Sequence, residues 1–273
     1  MIGAVWQKIA GELPIVTIPL FFESDPDFPG RGPNPGEQGA LDPLAAVVRA
    51  HEADCGFAFD ADGDRVFVVD TAGEVVQGSV LMAFMIDRML RERPDAVVLY
   101  NVTGGRSIRD IIASHPRAHF FITPVGHANI KRIAKEKQAD FAGEPQSGHY
   151  FFKENFYADS AVIFAVKILE ALSRETAPMR DLVAPYQTYY WSGELNFTVA
   201  NRAAQKEKIT LLKKRYQGQG ALLEIDGVRF DFDRWWFLVR PSNTEPLFRV
   251  NVEADSRELL KEKTQEVLAS IGE

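Results

Sequence analysis

An acidic loop between two short apolar segments is the feature of this chain that most restricts how it can fold. The segments Cys55–Phe59 and Val66–Val69 are rich in aromatic and β-branched residues, which predicts two strands joined by a tight connection. Residues 60–65 form that connection and read DADGDR, with three carboxylates at every second position. Neighbouring carboxylates repel one another, so the pattern favours a cation site over an idle turn.

The acidic loop predicts a magnesium site. Mg²⁺ takes oxygen ligands, usually one to a few carboxylates, and completes its octahedral shell with water or substrate phosphate. Asp60, Asp62 and Asp64 are therefore the predicted metal ligands. An EF-hand is excluded, because Arg65 stands where the calcium loop needs glycine and Thr71 where it needs glutamate. A solvated Asp-Gly turn is the alternative that these residues leave open.

Composition is that of an ordinary globular protein with a mildly acidic charge. The chain has 273 residues, 46% of them hydrophobic, which is enough to bury a core in two or three domains. The net charge of -7 argues against a nucleic-acid partner, because phosphate backbones require clustered Lys and Arg. A single cysteine, Cys55, excludes an intramolecular disulfide and suits a reducing cytoplasm. With no long apolar run and no signal-like start, we expect a cytoplasmic protein without a membrane partner.

Helical and strand patterns alternate along most of the chain. The order predicts an α/β fold: two mixed-sheet α/β domains, the first incomplete at its N-terminus, followed by a smaller α+β domain. We place these domains at residues 1–73, 74–178 and 179–273. A strand is predicted at Ile15–Phe22 in the first domain. Helices are predicted at Leu41–Glu52, Gly78–Glu92, Arg106–Ser114, Ile130–Lys137, Asp159–Arg174, Asn201–Tyr216 and Ser256–Ile271.

A second polar loop, residues 240–246, reads RPSNTEP and lies between two predicted strands. Its guanidinium, hydroxyl and amide groups are anion donors, and its two prolines reduce the entropy lost on binding. Hydrogen bonds to a charged group contribute roughly 1.5–3 kcal/mol each, so three or four can hold a phosphomonoester on an acidic chain. A hairpin that caps its own turn is the alternative. The candidate phosphate-binding residues are Arg240, Ser242, Asn243, Thr244 and Arg249.

A third loop, residues 143–149, reads GEPQSGH and joins a carboxylate, an amide, a hydroxyl and an imidazole. A carboxylate can accept hydrogen bonds from two neighbouring sugar hydroxyls, and such a site rejects ligands that lack them. Glu144 and Ser147 are the candidates for these contacts, although a plain turn stays open. His149 and His127 are candidate catalytic residues, with a structural histidine as the alternative for His127.

A weaker signal precedes one of the predicted helices. Residues 101–106 read NVTGGR, and the free amides at the start of the following helix can hold an anion. Glycines at a strand-to-helix turn are usually there only because the backbone conformation of the turn requires them, so both interpretations stay open.

In chain order, the loops at residues 60–65, 143–149 and 240–246 resemble those of the α-D-phosphohexomutase family, the phosphomannomutase and phosphoglucomutase enzymes. The resemblance covers essentially the whole chain and aligns it with the family's second, third and fourth domains. It implies that the acidic loop binds Mg²⁺, that residues 143–149 contact sugar hydroxyls, and that residues 240–246 bind the phosphate of the substrate. The implied partner is a hexose phosphate of mannose or glucose, and Arg65 is implied to orient it.

The chain departs from the family pattern at three places that affect function. The family often has a lysine in the loop that here reads Thr103-Gly104-Gly105, so a basic contact to substrate is either absent or supplied by Arg106. Pro145 and Gln146 both separate Glu144 from Ser147, where the family has one residue, and this leaves mannose, glucose and glucosamine phosphates open as substrates. The family's phosphorylated serine, in a loop of its first domain, has no counterpart. We therefore expect the chain to bind sugar phosphate with little or no mutase turnover of its own. A non-catalytic, sugar-phosphate-binding remnant of a mutase is a further interpretation.

One other enzyme class is open at this point. Residues 57–63 read FAFDADG and also resemble the Asp-x-Asp-Gly opening of haloacid-dehalogenase-type phosphatases, in which Asp60 would be the nucleophile. Against this, Asp64 replaces the usual Thr or Val, and a long α/β stretch precedes the motif.

Overall fold

The computed structural model describes residues 2–242 and 245–272, so Asn243 and Thr244 of the predicted phosphate loop lie outside the described residues. The first unit is a small antiparallel sheet with two helices. Its three strands pair in chain order, and Gly56 lies opposite Val69 in the ladder between the first and second strands. Its elements are α1 (Ile2–Ala10), α2 (Asp42–His51), β1 (Gly56–Phe59), β2 (Val66–Val69) and β3 (Val75–Val76).

The strand predicted at Ile15–Phe22 is wrong. These residues have no regular secondary structure, and Val16 is 94% exposed. The segment has the composition of a strand, but a strand also needs a neighbour to take its amide and carbonyl hydrogen bonds. No ladder in the described part of the chain includes this segment.

The second unit is an α/β layer built on a four-stranded mixed sheet of order β5-β4-β6-β7. Strand β4 is parallel to both β5 and β6, and β7 returns antiparallel to β6. Parallel strands end at the same edge of a sheet, so the loops that follow them meet there. The elements are α3 (Gly78–Glu92), β4 (Val97–Asn101), α4 (Arg106–Ser114), β5 (His119–Thr123), α5 (His127–Lys137), β6 (Phe141–Glu144), β7 (His149–Phe152), α6 (Ala161–Ser173) and α7 (Met179–Val183).

Two helices pack tightly against this sheet. Every residue from Ser79 to Asp87 in α3 is buried, which makes it a core helix rather than a surface helix. The hydroxyl of Ser160 caps α6 by accepting a hydrogen bond from the Ile163 amide at 3.3 Å. Phe164 of the same helix stacks on Tyr150 of the sheet with 3.5 Å between ring centroids. These contacts hold β7, and the loop before it, in a fixed position.

The third unit is an antiparallel sheet of order β10-β11-β12-β13-β8, with β9 also paired to β13. Helix α8 is capped by the side chain of Asn201, which accepts from the Ala204 amide at 3.0 Å. The two helices of this unit, Arg202–Tyr216 and Arg257–Gly272, pack on one apolar core together with the buried faces of the strands. The elements are β8 (Tyr190–Trp191), β9 (Leu195–Thr198), α8 (Arg202–Tyr216), β10 (Ala221–Leu223), β11 (Val228–Asp231), β12 (Trp235–Pro241), β13 (Leu247–Ala254) and α9 (Arg257–Gly272).

The third unit docks on the second through its sheet. Trp236 and Leu238 of β12 are fully buried in one cluster with Val102, which follows β4. The predicted class, α/β followed by a smaller α+β domain, is confirmed. Two predicted helices, Gly78–Glu92 and Arg106–Ser114, also agree with the structure at both ends. Within residues 2–242 and 245–272, no helix has the length and apolar character that crossing a membrane requires.

Candidate active site

The acidic loop is a tight connection organised around Asp60. Its Oδ1 accepts hydrogen bonds from the amides of Gly63 and Arg65 at 3.0 and 3.1 Å. Its Oδ2 accepts from Nε of Arg65 at 2.6 Å. Gly63 has a φ of 80°, in the left-handed region that favours glycine, and a Cβ there would lie 2.5 Å from Ile2. The loop is therefore held by its own residues in one conformation.

The three predicted metal ligands lie together. One oxygen from each of Asp60, Asp62 and Asp64 falls within 4.8 Å of the others. The Oδ1 atom of Asp64 is buried and accepts no hydrogen bond from any described residue. Nε of Arg65 lies 3.7 Å from it, beyond hydrogen-bond distance. A buried carboxylate oxygen without a hydrogen bond carries a desolvation cost that a bound cation would reduce. The donor set is oxygen alone, so the residues fit a hard divalent cation such as Mg²⁺.

The ionisation of the acidic loop reflects this crowding. Burial, a hydrogen bond to Asp60 and the nearby negative charges raise the pKa of Asp64 to about 7. Burial alone would also raise the pKa of Asp60, but hydrogen bonds from Asp64 and Arg65 outweigh it and lower that pKa. The loop thus holds more negative charge than it can easily keep ionised, as expected of a cation-binding site.

Glu144 stands at the centre of the predicted sugar loop. Its buried carboxylate accepts through Oε1 from the Asn101 side chain at 2.8 Å and from the Gly126 amide at 3.1 Å. The second oxygen, Oε2, lies 3.7 Å from Nδ1 of His149. The same His149 nitrogen is 2.8 Å from Oγ of Ser147. Glu144, Ser147 and His149 are therefore brought together, although Pro145 and Gln146 both intervene.

The acidic loop and the sugar loop touch directly. The amide of Val66 donates to the carbonyl of Gly148 at 3.1 Å, and Arg65 and His149 form a β-bridge. Nε2 of His149 lies 3.3 Å from Oδ2 of Asp64. Burial lowers the pKa of His149 despite the neighbouring carboxylates. The two loops thus form one continuous polar surface.

The predicted catalytic residues Arg65 and His127 lie on the same surface. Arg65 binds Asp60, and its terminal nitrogen donates to Oδ1 of Asn34 at 3.1 Å. The ring of His127 is half exposed and meets the ring of His149 edge-on, with 5.9 Å between centroids. Both side chains are therefore accessible to a ligand that binds at this surface.

The predicted phosphate loop places its arginines around one carboxylate. Oε2 of Glu194 is 3.6 Å from Arg240, and Oε1 is 3.3 Å from Arg249. Nε of Arg240 is buried and, among the described residues, has no hydrogen-bond partner. Ser242 is also buried, and its hydroxyl accepts from the Glu245 amide at 3.3 Å. A buried guanidinium nitrogen with spare donor capacity suits an anionic ligand.

A short polypeptide segment connects the phosphate loop to the sugar loop. The amide of Val125 donates to Oδ2 of Asp226 at 3.1 Å, and the same oxygen is 3.9 Å from Nε of Arg240. The next amide, of Gly126, donates to Glu144. Carboxylates from the second and third units therefore hold adjacent amides, just before His127 begins helix α5. This segment connects the two predicted substrate-binding regions.

The anion position at the start of helix α4 is filled from within the chain. The amide of Arg106 donates to Oε1 of Glu253 at 2.7 Å, and Trp236 donates to the same oxygen. The Arg106 guanidinium itself donates to the carbonyl of Phe232 at 3.2 Å. The turn therefore holds an anionic group of the chain itself, the carboxylate of Glu253, and this contact docks the third unit on the second.

Several polar residues at this surface were not predicted from the sequence. Each is a residue type common on protein surfaces and lies outside the three loops, so no local pattern marks it, and only the fold brings it to this surface. They are Asn34, Lys131, Asp159, Glu194 and Asp226.

The chain matches one protein family along nearly its whole length. Residues 1–73 match "Phosphoglucomutase/phosphomannomutase, alpha/beta/alpha domain II" and residues 77–189 match "alpha/beta/alpha domain III" of the same family. Residues 194–270 match its C-terminal domain. The comparisons give no support to a haloacid-dehalogenase-type phosphatase.

Curated relatives carry the same names. A phosphomannomutase of Methanocaldococcus jannaschii is 34% identical over 250 residues, covering 91% of this chain and 54% of the relative. A phosphomannomutase/phosphoglucomutase of Pseudomonas syringae is 36% identical over 257 residues, covering 93% of this chain and 55% of the relative. The chain thus spans a little over half the length of these relatives.

Solved structures agree in fold. A phosphoglucomutase/phosphomannomutase family protein of Burkholderia thailandensis superposes with a TM-score of 0.87 at 26% identity, over 99% of this chain and 58% of that one. A phosphomannomutase-like structure from Thermus thermophilus gives a TM-score of 0.75 at 20% identity, over 98% of this chain and 57% of that one. With its three successive domain matches, the chain belongs to the phosphoglucomutase/phosphomannomutase family, of which it carries domains II, III and the C-terminal domain.

Proposed function

We propose that this chain binds hexose phosphates in a Mg²⁺-dependent manner and forms the substrate-binding part of a phosphohexomutase. The reaction of the whole enzyme would interconvert hexose 1-phosphate and hexose 6-phosphate. The observation that carries the proposal is the connection through Val125 and Gly126. Adjacent amides there donate to Asp226, beside Arg240, and to Glu144 of the sugar loop. A ligand with a phosphate at one end and hydroxyls at the other fits that arrangement.

The division of roles follows from the donors and acceptors of each loop. Arg240 and Arg249 would hold the phosphate, because paired guanidinium groups match its oxygens. Glu144 and Ser147 would accept hydrogen bonds from sugar hydroxyls, which discriminates against ligands lacking them. Arg65 and His127 lie at the same polar surface and would orient the reacting end of the sugar. Asn243 and Thr244 are assigned to the phosphate site by their residue types and by the family resemblance, since they lie outside the described residues.

Asp60, Asp62 and Asp64 would hold Mg²⁺, which is supported by the buried Oδ1 of Asp64, an oxygen that accepts no hydrogen bond from any described residue. When bound, the ion would neutralise charge on the phosphoryl group being transferred. The chain's own residues would keep that group and the sugar in line. The family's phosphoserine domain is not among the three domains matched, so we propose binding with little or no mutase turnover by this chain alone.

The binding proposal is tested by calorimetric titration of mannose 1-phosphate and glucose 1-phosphate with Mg²⁺ present. Arg240→Ala and Arg249→Ala are each expected to weaken binding by tenfold or more, since each removes a charged donor to phosphate. Arg117→Ala, a change at an exposed arginine paired with Asp95, is the matched control and should bind normally. Equal affinity in all three variants would refute the phosphate-binding role.

The metal role has its own test. Mg²⁺ is expected to raise the midpoint of thermal unfolding of the unaltered chain, because a ligand that binds only the folded state stabilises it. Asp62→Asn should abolish that shift, and Asp62 is exposed, so its substitution should leave the fold intact. Asp95→Asn, at another exposed aspartate, should keep the shift. A shift that persists in Asp62→Asn would place the ion elsewhere.

Turnover is tested separately from binding. The chain is mixed with glucose 1-phosphate, Mg²⁺ and a trace of glucose 1,6-bisphosphate, and glucose 6-phosphate is measured. We expect no formation above the protein-free control, because the phosphoryl donor would lie outside the three matched domains. Robust formation of glucose 6-phosphate would overturn the proposal that the chain only binds.

A further inference from the structure

Beside the acidic loop lies a second cluster of potential metal ligands, made of Asp64, His127, His149 and Asp159. One nitrogen or oxygen atom from each of the four falls within 4.8 Å of the others. They come from the acidic loop, the start of α5, the start of β7 and the segment before α6. Two imidazoles and two carboxylates are a donor set typical of Zn²⁺ and Co²⁺, whereas Mg²⁺ prefers oxygen alone.

The hydrogen bonds around His149 leave one ring nitrogen for a metal. The hydroxyl of Ser147 is 3.1 Å from the carbonyl of Glu144 and donates its hydrogen there. Its oxygen then accepts from Nδ1 of His149 at 2.8 Å, so Nδ1 carries the proton. The lone pair of Nε2 faces Oδ2 of Asp64 at 3.3 Å. Metal-binding histidines are commonly held in this way, with the second ring nitrogen donating to a neighbouring polar group.

Asp159 is oriented in a similar manner. Its Oδ1 binds the ammonium of Lys131 at 2.6 Å, which leaves Oδ2 at 3.6 Å from Nδ1 of His127. Carboxylates that bind metals are often held by such an outer partner. The charge of Lys131 also opposes a cation, so the site is expected to be moderate in affinity. Lys131→Met should therefore change the affinity for metal. A cluster with a purely structural role would bind no metal in either variant.

Backbone contacts fix the relative positions of the four residues. His149 is bridged to Arg65, and Asp159 is bridged to Phe151 two residues further along β7. The amide of Ala161 donates to the carbonyl of Gly63 at 3.2 Å, which ties the start of α6 to the acidic loop. Ligands held in advance lose less entropy when they bind.

We propose that Asp64, His127, His149 and Asp159 form a binding site for a divalent cation of the Zn²⁺ class, distinct from the acidic Mg²⁺ site but sharing Asp64 with it. Its Oδ2 atom faces His149, and its Oδ1 atom is the buried oxygen without a hydrogen-bond partner among the described residues. A shared carboxylate and repulsion between two cations make binding at the two sites antagonistic. The site would also engage both imidazoles that border the sugar-phosphate cleft.

The test is a titration of the whole metal-free chain with Co²⁺, followed by visible absorption and by displacement with Zn²⁺. We expect one Co²⁺ per chain with the strong absorption of a four-coordinate ion. His127→Ala and His149→Ala should each weaken binding by tenfold or more. His127 is half exposed, so that variant should fold normally. His119→Ala, at an exposed histidine of β5, is the matched control and should bind as the unaltered chain does.

Two further measurements separate this site from the acidic one. Asp62→Asn should keep the Co²⁺ absorption, because Asp62 is not a member of the second cluster. Saturating Mg²⁺ should raise the apparent dissociation constant for Co²⁺ about tenfold in the unaltered chain and much less in Asp62→Asn. Weak absorption typical of a hydrated ion, or equal affinity in His127→Ala and His119→Ala, would overturn the proposal. Co²⁺ binding unaffected by Mg²⁺ would refute the shared role of Asp64.

Discussion

The carboxylate of Glu194 lies against the guanidinium of Arg240, with Oε2 3.6 Å from a terminal nitrogen. Its other oxygen is 3.3 Å from Arg249. One anionic side chain thus lies between the two arginines proposed to bind phosphate. A phosphate ester that engages both must displace this carboxylate or bind beside it, and two anions at that distance repel one another.

Glu194→Gln is therefore expected to strengthen the binding of mannose 1-phosphate. Ion pairs near the surface contribute about 0.2–1 kcal/mol each, so losing two competing contacts corresponds to an affinity increase of about two- to thirtyfold. Calorimetry in the presence of Mg²⁺ measures the change, and Glu207→Gln in the exposed part of α8 is the control. Weaker binding in Glu194→Gln would mean that the carboxylate positions the arginines instead of competing with the ligand.

Gly78→Ala tests how helix α3 supports the sugar loop. A Cβ at Gly78 would lie 1.8 Å from the carbonyl oxygen of Pro145, a backbone atom that cannot rotate away. The loop must shift, so we expect hexose-phosphate affinity to fall by tenfold or more while the Mg²⁺-induced thermal shift remains. Gly272→Ala is the control, because its Cβ would make an ordinary 3.8 Å contact with Phe197. Unchanged sugar-phosphate binding in Gly78→Ala would contradict the placement of this loop at the ligand.

The buried carboxylate of Asp87 makes the stability of the second unit depend on pH. Its buried carboxylate accepts from Tyr186 at 2.7 Å and from Arg91 at 2.6 Å, and lies 2.9 Å from Nε2 of His115. Burial would raise its pKa, but these hydrogen bonds outweigh burial and lower it. A carboxyl group with a lowered pKa in the folded state stabilises that state above its unfolded pKa of about 4. The contribution is lost as the pH falls through the lowered value.

Asp87→Asn is accordingly expected to lower the free energy of unfolding by about 1–3 kcal/mol at neutral pH. The difference from the unaltered chain should shrink as the pH falls below about 4, where protonation removes the same charge. Urea unfolding at a series of pH values measures both quantities. A difference in stability that stays constant down to pH values well below the pKa of a free carboxyl group would rule out Asp87 as the source of the pH dependence.

Arg229 is expected to hold the third unit on the second. Its buried guanidinium donates to the carbonyls of Val102 and Gly104 at 2.8 Å, and binds Asp231 through two hydrogen bonds at 3.0 Å. Arg109 also lies 3.2 Å from Asp231 and would keep that carboxylate partly paired. Removing one partner of a buried pair costs about 3–5 kcal/mol when the other charge is left without compensation, so Arg229→Met should lower the free energy of unfolding in urea by somewhat less, about 2–3 kcal/mol.

Arg234 provides the matched control for Arg229. It makes the same two-bond pair with Asp255, at 2.7 and 3.0 Å, but on the exposed surface. Water and salt weaken such pairs, so Arg234→Met should change the free energy of unfolding little. Equal destabilisation in the two variants would show that burial is not what gives the Arg229 contact its strength.

Local sequence patterns were reliable where a residue's neighbours in the chain are also its partners in space. Helix α3 was predicted from Gly78 to Glu92 because apolar residues recur at helical spacing, and the hydrogen bonds of a helix are local. The acidic loop is similar, since Asp60 binds Gly63 and Arg65 within the same turn. The segment Ile15–Phe22 was predicted wrongly because a strand depends on a distant partner.

By itself the sequence determined the family and fold class of this protein, and it marked three polar loops by their residue types. Tertiary structure alone decided which side chains meet. Glu194 lies between two arginines, and Asp226 joins Val125 to Arg240. Asp159 contacts His127 in the cluster that also contains His149 and Asp64. These partners are far apart in the chain and of types common on any surface. Their contacts depend on how the units pack, because charge interactions act through space and not along the sequence.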